Sequence, residues 1–539
     1  MTSEVAPTLW VRKASGLTRE IGGWSALAVT MCYAIGGGAH RLVWFATYWY
    51  PGCDPVLSSV ITSIAALILM FIYAWMLITM PRTGGDYIYI SRVVNPFVGF
   101  MSSFGYMISA GLCNGILSFF ALESFGSAIS VYGLWTNNPG ISALGTLIGK
   151  DPMVKVLLSL LFITLFGIIA FLGLRAHMIA VWIMFIIPVI FVIPMWIGYA
   201  TNTPATTAVL WDKFIGAGTY EKISSEATRL GFDEAKFGTF SLNATLLATV
   251  SPAWAWVGTW QAAPSAGGEI KTVRSSAWIG VGLSGILVAL YYCLLPYFGF
   301  NAYGKMFVVK YIWMYQTHFA DLSKIIPYPP FPHAGFFASP LWAGNPVIAL
   351  MPPIGVAFWQ LNFLPTGYLI CSRYIFSWSF DRFFPERFAA VNERFHSPHN
   401  AVLLTWVISL LGIYGCWALE AGAAGAGFAA LDTTWLWWWS SIPVCWAALV
   451  LPYTRKDLYE SGFKLDIAGI PLITILGLFG ILLSTYIFML AVAAVPPYPD
   501  TFTLLFTWFF AGLIFLGLYA YNVRRGVDVK SIYAEVPPA

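Results

Sequence analysis

The 539-residue sequence predicts an all-α integral membrane protein with about twelve transmembrane helices. Three observations predict it. Hydrophobic residues make up 59% of the chain and charged residues 10%, where soluble domains carry about 25% charged residues. Apolar stretches of about 20 residues, the length that crosses a bilayer, recur from end to end between turn and charge signals. Lys and Arg gather on alternate connections, as the positive-inside pattern requires.

Taken in order, the predicted spans 1 to 12 are 23–50, 56–80, 97–128, 153–173, 177–200, 241–263, 276–298, 346–371, 400–420, 433–452, 467–492 and 502–522. With both termini on one side, eighteen of the 28 Lys and Arg fall on that side. Nine fall on the other, mainly in the long loops 201–240 and 299–345, with Lys155 at the start of span 4, and the remaining one, Arg41, lies inside span 1. Long loops translocate regardless of charge, so both termini are expected in the cytoplasm and the chain in the cell membrane. Loop 201–240 mixes charges and predicts a short amphipathic helix. Loop 299–345, rich in Pro and aromatics ("IIPYPPFPHAGFFASP"), predicts a packed outer cap.

Composition also excludes classes. The net charge of +4 is too small to suggest nucleic acid. Seven Cys form no CxxC pair and all but Cys53 lie in apolar runs, so they read as packing residues. Six His, of which only His40 lies in a span, do not suit a haem protein. No metal cluster, cofactor site or nucleophile–base pair is expected. "GGEIK" lacks the GK[ST] of a phosphate loop, and the first 22 residues carry no signal-peptide core.

Two interruptions stand out. In span 1, "YAIGGGAHRLVW" places Gly36, Gly37 and Gly38 at the midpoint; in span 6, "ATVSPAWAWVGTW" carries Pro252 and Gly258. In hydrocarbon, an opened helix is tolerated only inside protein or beside a watery cavity. Paired interruptions in corresponding positions point to the binding site of a transporter built from inverted repeats. Close helix packing is the plainer use of each glycine alone.

Four stretches resemble the amino acid–polyamine–organocation permeases. "GLTREIGGWSALAVTMCYAIGGG" is similar to the family's start; "MPRTGGDYIYISRVVNPFVGF" resembles its loop between spans 2 and 3. "GGEIKTVRSSAWIG" resembles the segment after span 6, with Thr272-Val273 in place of Asn-Pro. "SRYIFSWSFDRFFPERFAAVNERFHSPHNAV" resembles the loop after span 8. The resemblance implies a leucine-transporter-like core of two inverted five-helix repeats (5+5), with broken helices 1 and 6. The corresponding segments are an N-terminal piece 1–22, repeats 23–200 and 241–452, the outer loop 201–240, two added helices in 453–522 and a tail 523–539. It also implies transport of amino acids or amines, coupled to H+ or Na+ or run as exchange. A non-transporting subunit of a larger complex that keeps the fold, or more distantly a channel, is the rival reading.

The resemblance implies that Ile35, Gly36, Gly37 and Gly38 bind a substrate carboxylate. Trp254, Ala255, Trp256, Val257 and Gly258 would take the amino group and shape the pocket, with Trp254 or Trp256 as an aromatic gate. Arg82, Asp86, Glu269, Lys271, Arg373, Asp381 and Arg382 would form an inner charge network. Span 5 lacks the Lys that some members use as a cation surrogate, while Asn362 and Thr366 would be candidate sodium ligands. His40 and Arg41 fall outside the family pattern. An intramembrane charge marks a functional site by default. Arg41 lies about 5 Å outward of the break by helical rise, level with Asn114, and Glu123 lies about 13 Å further out. Arg41 is therefore expected to pair with Glu123 as a gate, to bind an acidic substrate group, or to rest on backbone carbonyls and Asn114. His40 is read as a proton-coupling group or a packed neutral side chain.

Overall fold

The computed structural model describes residues 16–424, 434–494, 497–527 and 529–534. It is all-helical, 81% helix, apart from one two-residue hairpin at Asp466–Ile467 and Ile470–Pro471. The chain runs as α1 (Gly23–Ala34), a π-helical turn (Gly38–Leu42), α2 (Val43–Trp49), α3 (Pro55–Thr79), α4 (Asp86–Val93), α5 (Pro96–Trp135), α6 (Pro139–Lys150), α7 (Pro152–Phe171), α8 (Leu174–Phe191) and α9 (Ile193–Thr201). The first long loop holds α10 (Pro204–Ile215), α11 (Thr219–Arg229) and α12 (Glu234–Gly238), three helices where the sequence predicts one. Then come α13 (Leu242–Ala248), α14 (Val250–Ala255), α15 (Ala262–Ser265), α16 (Val273–Ala277) and α17 (Ser284–Tyr303). The second long loop holds α18 (Lys305–Thr317), α19 (Phe319–Ile325) and α20 (Ala334–Ala338). The rest is α21 (Pro346–Leu361), α22 (Phe363–Phe380), α23 (His399–Ala421), α24 (Thr434–Thr454), α25 (Lys456–Ser461), α26 (Leu472–Ala494), α27 (Pro497–Arg524) and α28 (Val529–Ala534).

Helix starts follow local chemistry. Asp54-Pro55, Asn95-Pro96, Asn138-Pro139, Asp151-Pro152 and Asn345-Pro346 each open a helix, the Asx side chain accepting first-turn N–H groups. Proline at the first position loses no intrahelical bond, so the pair is a strong start signal. Among the described residues, eight helical segments are long and apolar enough to cross a membrane. Spans 1 and 6 are divided instead into pieces too short to cross alone. On α7, Leu157, Leu161, Leu165 and Ile168 form an exposed stripe, a face that only lipid accommodates. The chain is a multi-pass membrane protein.

α5 is the enclosed centre. Its 40 residues span about 60 Å, twice a bilayer core. On one face, hereafter the terminal face, the residues after span 6 are laced by backbone to two other segments. Glu20 and Ile21 N–H groups donate to the Glu269 carbonyl, Lys271 N–H to Ile21, and Gly84 N–H to Ser265. Tyr533, near the other end, lies 3.2 Å from Tyr87 on the same face. The opposite, cap face carries the two long loops. There Trp211 is ringed by Tyr303, Phe307, Tyr311, Phe336 and Phe337, the packed cap the sequence predicts. It bears on α2, where Trp44 stacks on Phe337 at 5.3 Å.

Candidate functional site

The two breaks meet. α1 ends at Ala34, and Ile35 and Gly36 leave the helix before the chain resumes toward the cap face. The first N–H groups of the resumed turn have no preceding turn to bond to. Span 6 opens after Ala255: Val257 and Gly258 take φ of +39° and +66°, and for a β-branched valine that region costs about 1–3 kcal/mol. Gly38 packs directly on Ala255, so a Cβ there would overlap the Ala255 Cα and Cβ. At Gly258 a Cβ would stand 2.6 Å from the Tyr106 ring. Here small residues serve close approach and left-handed backbone together.

Tyrosines tether the opened backbone. The Tyr292 hydroxyl bonds the carbonyls of both Ala34 and Ala255, the latter at 2.7 Å. Tyr106 places its hydroxyl 3.1 Å from the Tyr33 hydroxyl and 3.3 Å from the Gly258 carbonyl oxygen. Tyr33 stacks on Phe363 at 4.4 Å, and Trp256 meets Tyr292 edge to face. These tyrosines escape the sequence reading. A buried tyrosine hydroxyl needs a partner, so the Tyr291-Tyr292 pair inside span 7 was the available signal. Trp254 is buried in the same segment.

A third interruption separates α21 from α22 at Asn362. Asn362 is wholly buried, and its amide has the Cys32 thiol as its near partner and no well-aligned hydrogen bond. Thr366 instead donates to the Phe363 carbonyl at 2.8 Å. Asn114 is not beside Arg41: its amide donates to Ser409 and its oxygen faces Gly367, because that face of α5 turns toward α22 and α23. His40 lies 3.1 Å by Nδ1 from the Gly36 carbonyl and 2.7 Å by Nε2 from the Tyr291 hydroxyl. A carbonyl only accepts, so Nδ1 carries the hydrogen, and Nε2 accepts from Tyr291; both nitrogens are satisfied in the neutral ring.

Of the alternatives for Arg41, the structure contains the Glu123 pair. Nη1 stands 2.9 Å from Glu123 Oε2, with the guanidinium over the rings of Phe120 and Phe331. The hydrogen-bond angle of that arm is poor, but the ion-pair distance carries the attraction. The length of the arginine and of α5 closes the gap that helical rise alone leaves. Lys155, counted from sequence as an outer cation, is buried and bridges Glu123 at 3.3 Å and Glu420 at 2.5 Å. Two cations and two carboxylates thus close the cap face. Next to them burial lowers the Lys150 ammonium to about 8, opposed by the Glu123 charge.

The inner charge network differs from its sequence prediction. Arg373 holds Glu269 with two bonds of 2.8 and 2.7 Å, and Arg92 holds Asp381 with two of 2.8 and 2.7 Å; Arg92 was not foreseen. Lys271 is exposed, contributing its backbone. Arg82 donates to the Pro81 carbonyl, and Arg382 turns to a φ of +58°. Asp86 has no cation beside it: it is buried and accepts from Gln261 Nε2 at 2.7 Å. The loop folds α4 inward onto the 259–261 turn, which removes Asp86 from the basic residues around it in sequence.

No group of three or more His, Cys, Asp or Glu suited to a metal occurs among the described residues. No curated protein matches the chain. Residues 21–518 match the family described as Amino acid permease, which takes in both breaks, the cap and both charge layers. The chain belongs to the amino acid permease family.

Proposed function

We propose that the chain is a secondary active transporter for amino acids or related amines, working by alternating access with an ion or as an exchanger. The observation that carries this reading is the junction of the breaks. The Ala34 and Ala255 carbonyls converge on one Tyr292 hydroxyl; the Ala34 carbonyl also accepts the Gly36 N–H at 2.8 Å, so the Ala255 carbonyl is the one that a shared hydroxyl hydrogen serves incompletely. A substrate ammonium, with three donors, satisfies both. The N–H groups of Gly37 and Gly38 at the start of the resumed helix suit a carboxylate, whereas the Gly36 N–H already donates to the Ala34 carbonyl at 2.8 Å. Trp254, Trp256, Val257 and Gly258 line the side-chain end, and the Asn362 amide, which has no well-aligned hydrogen bond, supplies a further polar contact.

Twelve spans with two inverted five-helix repeats, 23–200 and 241–452, are the architecture that brings breaks five spans apart into contact. Two added helices follow. In this reading the terminal face and both termini are cytoplasmic and the membrane is the cell membrane, as the Lys and Arg bias favours. Arg41–Glu123 closes the outer path, and Arg373–Glu269 with the backbone lacing closes the inner one. Both are closed here, the arrangement expected of an occluded state. Asn362, rather than Thr366, has oxygen to offer a coupling cation. His40, with both nitrogens engaged, fits a structural role.

Counterflow of labelled amino acids and amines into proteoliposomes tests the reading. Exchange of at least one such solute is expected. Absence of uptake and exchange for all of them, with and without proton or sodium gradients, overturns it.

A further inference from the structure

Four carboxylates are buried among the described residues: Asp86, Glu123, Glu269 and Asp381. Glu123 faces Arg41 and Lys155, Glu269 faces Arg373, and Asp381 faces Arg92. Asp86 alone faces no cation. What surrounds it is uncharged. The groups on the elements packed against it are Tyr73 on α3, Tyr106 on α5, Gln261 in the 259–261 turn and Tyr374 on α22, with Tyr89 on its own helix. The nearest guanidinium on α22, that of Arg373, is taken by Glu269. The Asp86 Oδ2 accepts from Gln261, and the other donors at the carboxylate, the Tyr374 hydroxyl and the Tyr87 N–H, are neutral too; the Gln261 Oε1 is unbonded.

An ionised carboxylate in such a place, with only neutral donors and no counter-charge, is expensive, so the group binds a proton or the surroundings open to water. Its partner decides what opening means. Gln261 closes the turn that follows Gly258, its own N–H donating to the Gly258 carbonyl at 2.9 Å. Gly85 packs against Pro264 and Ser265 in the next turn, and the backbone lacing of the terminal face begins there. Asp86 therefore sits under the hinge by which the terminal half of span 6 would swing.

We propose that Asp86 is a proton-binding site that couples transport to the proton: it holds a proton while the terminal face is sealed and releases it to water when that face opens. This rests on the transporter reading above. The step is a plain acid–base exchange: a proton from solution binds the carboxylate Oδ1, and the same proton leaves to water on the terminal face. Burial supports it, raising Asp86 from the ordinary carboxylate range to about 7. His40, the other titratable group beside a break, has both ring nitrogens bonded.

The test joins infrared spectroscopy of the purified protein with counterflow at varied pH. The expected result is a protonated-carboxyl carbonyl band that persists above about pH 5, where ordinary carboxyls have ionised. The band should vanish in Asp86→Asn and return, shifted, in Asp86→Glu. Counterflow should depend on pH in the wild type and lose that dependence in Asp86→Asn. A wild type with counterflow but without such a band, or a band unchanged in Asp86→Asn, overturns the proposal. A band assigned to Asp86 in a protein without counterflow of any solute overturns the coupling and the transporter reading, leaving only a buried acid.

Discussion

Gly38 is the residue on which the meeting of the two breaks depends most directly. Its hydrogen faces the Ala255 Cα and Cβ, and neither side has a flexible atom to yield. Gly38→Ala is expected to lower stability by about 1–3 kcal/mol, the usual cost of overpacking, and to abolish counterflow. Thermal unfolding in detergent and proteoliposome counterflow check it; an unchanged melting midpoint would show that the breaks do not touch. Tyr292 is the complementary case. Tyr292→Phe keeps the ring against Trp256 but leaves the Ala34 and Ala255 carbonyls without their hydroxyl. The Ala34 carbonyl keeps the Gly36 N–H, so the Ala255 carbonyl is the acceptor stranded, at about 1–3 kcal/mol. A transported amine restores a donor to it, so its stabilising effect on the variant should exceed that on the wild type. A smaller thermal shift in the variant would place the ammonium elsewhere. Residues such as these divide sharply in legibility. Three consecutive glycines inside an apolar run announce a break without any other information. The hydroxyl that tethers it comes from span 7, more than 250 positions away in the case of Ala34, and nothing local announces which carbonyl a tyrosine will reach.

At the scale of elements, the eight long apolar helical segments among the described residues fall on spans that the sequence predicts, because apolar length is a local property. The side-chain chemistry between elements was readable only in part. The structure pairs Arg41 with Glu123, one of the three alternatives that the sequence leaves open. Lys155 stands at the start of predicted span 4, and sequence gives a residue's distance from a helix end but not which face it shows. Buried between α5, α7 and α23, Lys155 neutralises two carboxylates at once, whereas Arg41 is partly exposed and neutralises one. Lys155→Met is accordingly expected to destabilise by about 3 kcal/mol, the scale for breaking a buried pair, and Arg41→Gln by about 1 kcal/mol, nearer the exposed-pair limit. Adding Glu420→Gln to Lys155→Met should recover part of the loss by removing the stranded charge. Melting midpoints of the four proteins decide it; equal effects of Lys155→Met and Arg41→Gln would show that the cluster is held at Arg41. The resemblance groups Asp86 with the basic residues of its loop, but the turn of α4 carries it away from them and onto Gln261.

For the whole molecule, these buried groups set how stability varies with pH, and the sign can be worked out for each. Asp86 is raised to about 7 by burial, so the folded state keeps a proton that the unfolded chain, titrating near 4, has lost. Its contribution is complete below about pH 4 and is lost as pH rises through about 7. His333 at the cap is the opposite case. It is buried and caps α20 by accepting at Nδ1 from the Gly335 N–H, and burial lowers it to about 3. The unfolded chain binds that proton first, so stability rises with pH up to about 6.5. Lys150, lowered to about 8, adds stability as pH rises above about 8. The wild-type curve therefore mixes signs below about 6.5, and the Asp86 share stands out in the comparison with Asp86→Asn. That variant carries no ionisable group at 86 but keeps His333 and Lys150. Wild type should lose stability relative to Asp86→Asn progressively from about pH 4 to just above 7 and then run parallel to it. Thermal unfolding of both proteins in one detergent across that range measures the difference. A gap that stays constant with pH would mean that Asp86 titrates as an ordinary carboxylate and that the turn after Gly258 is open to water in the resting protein.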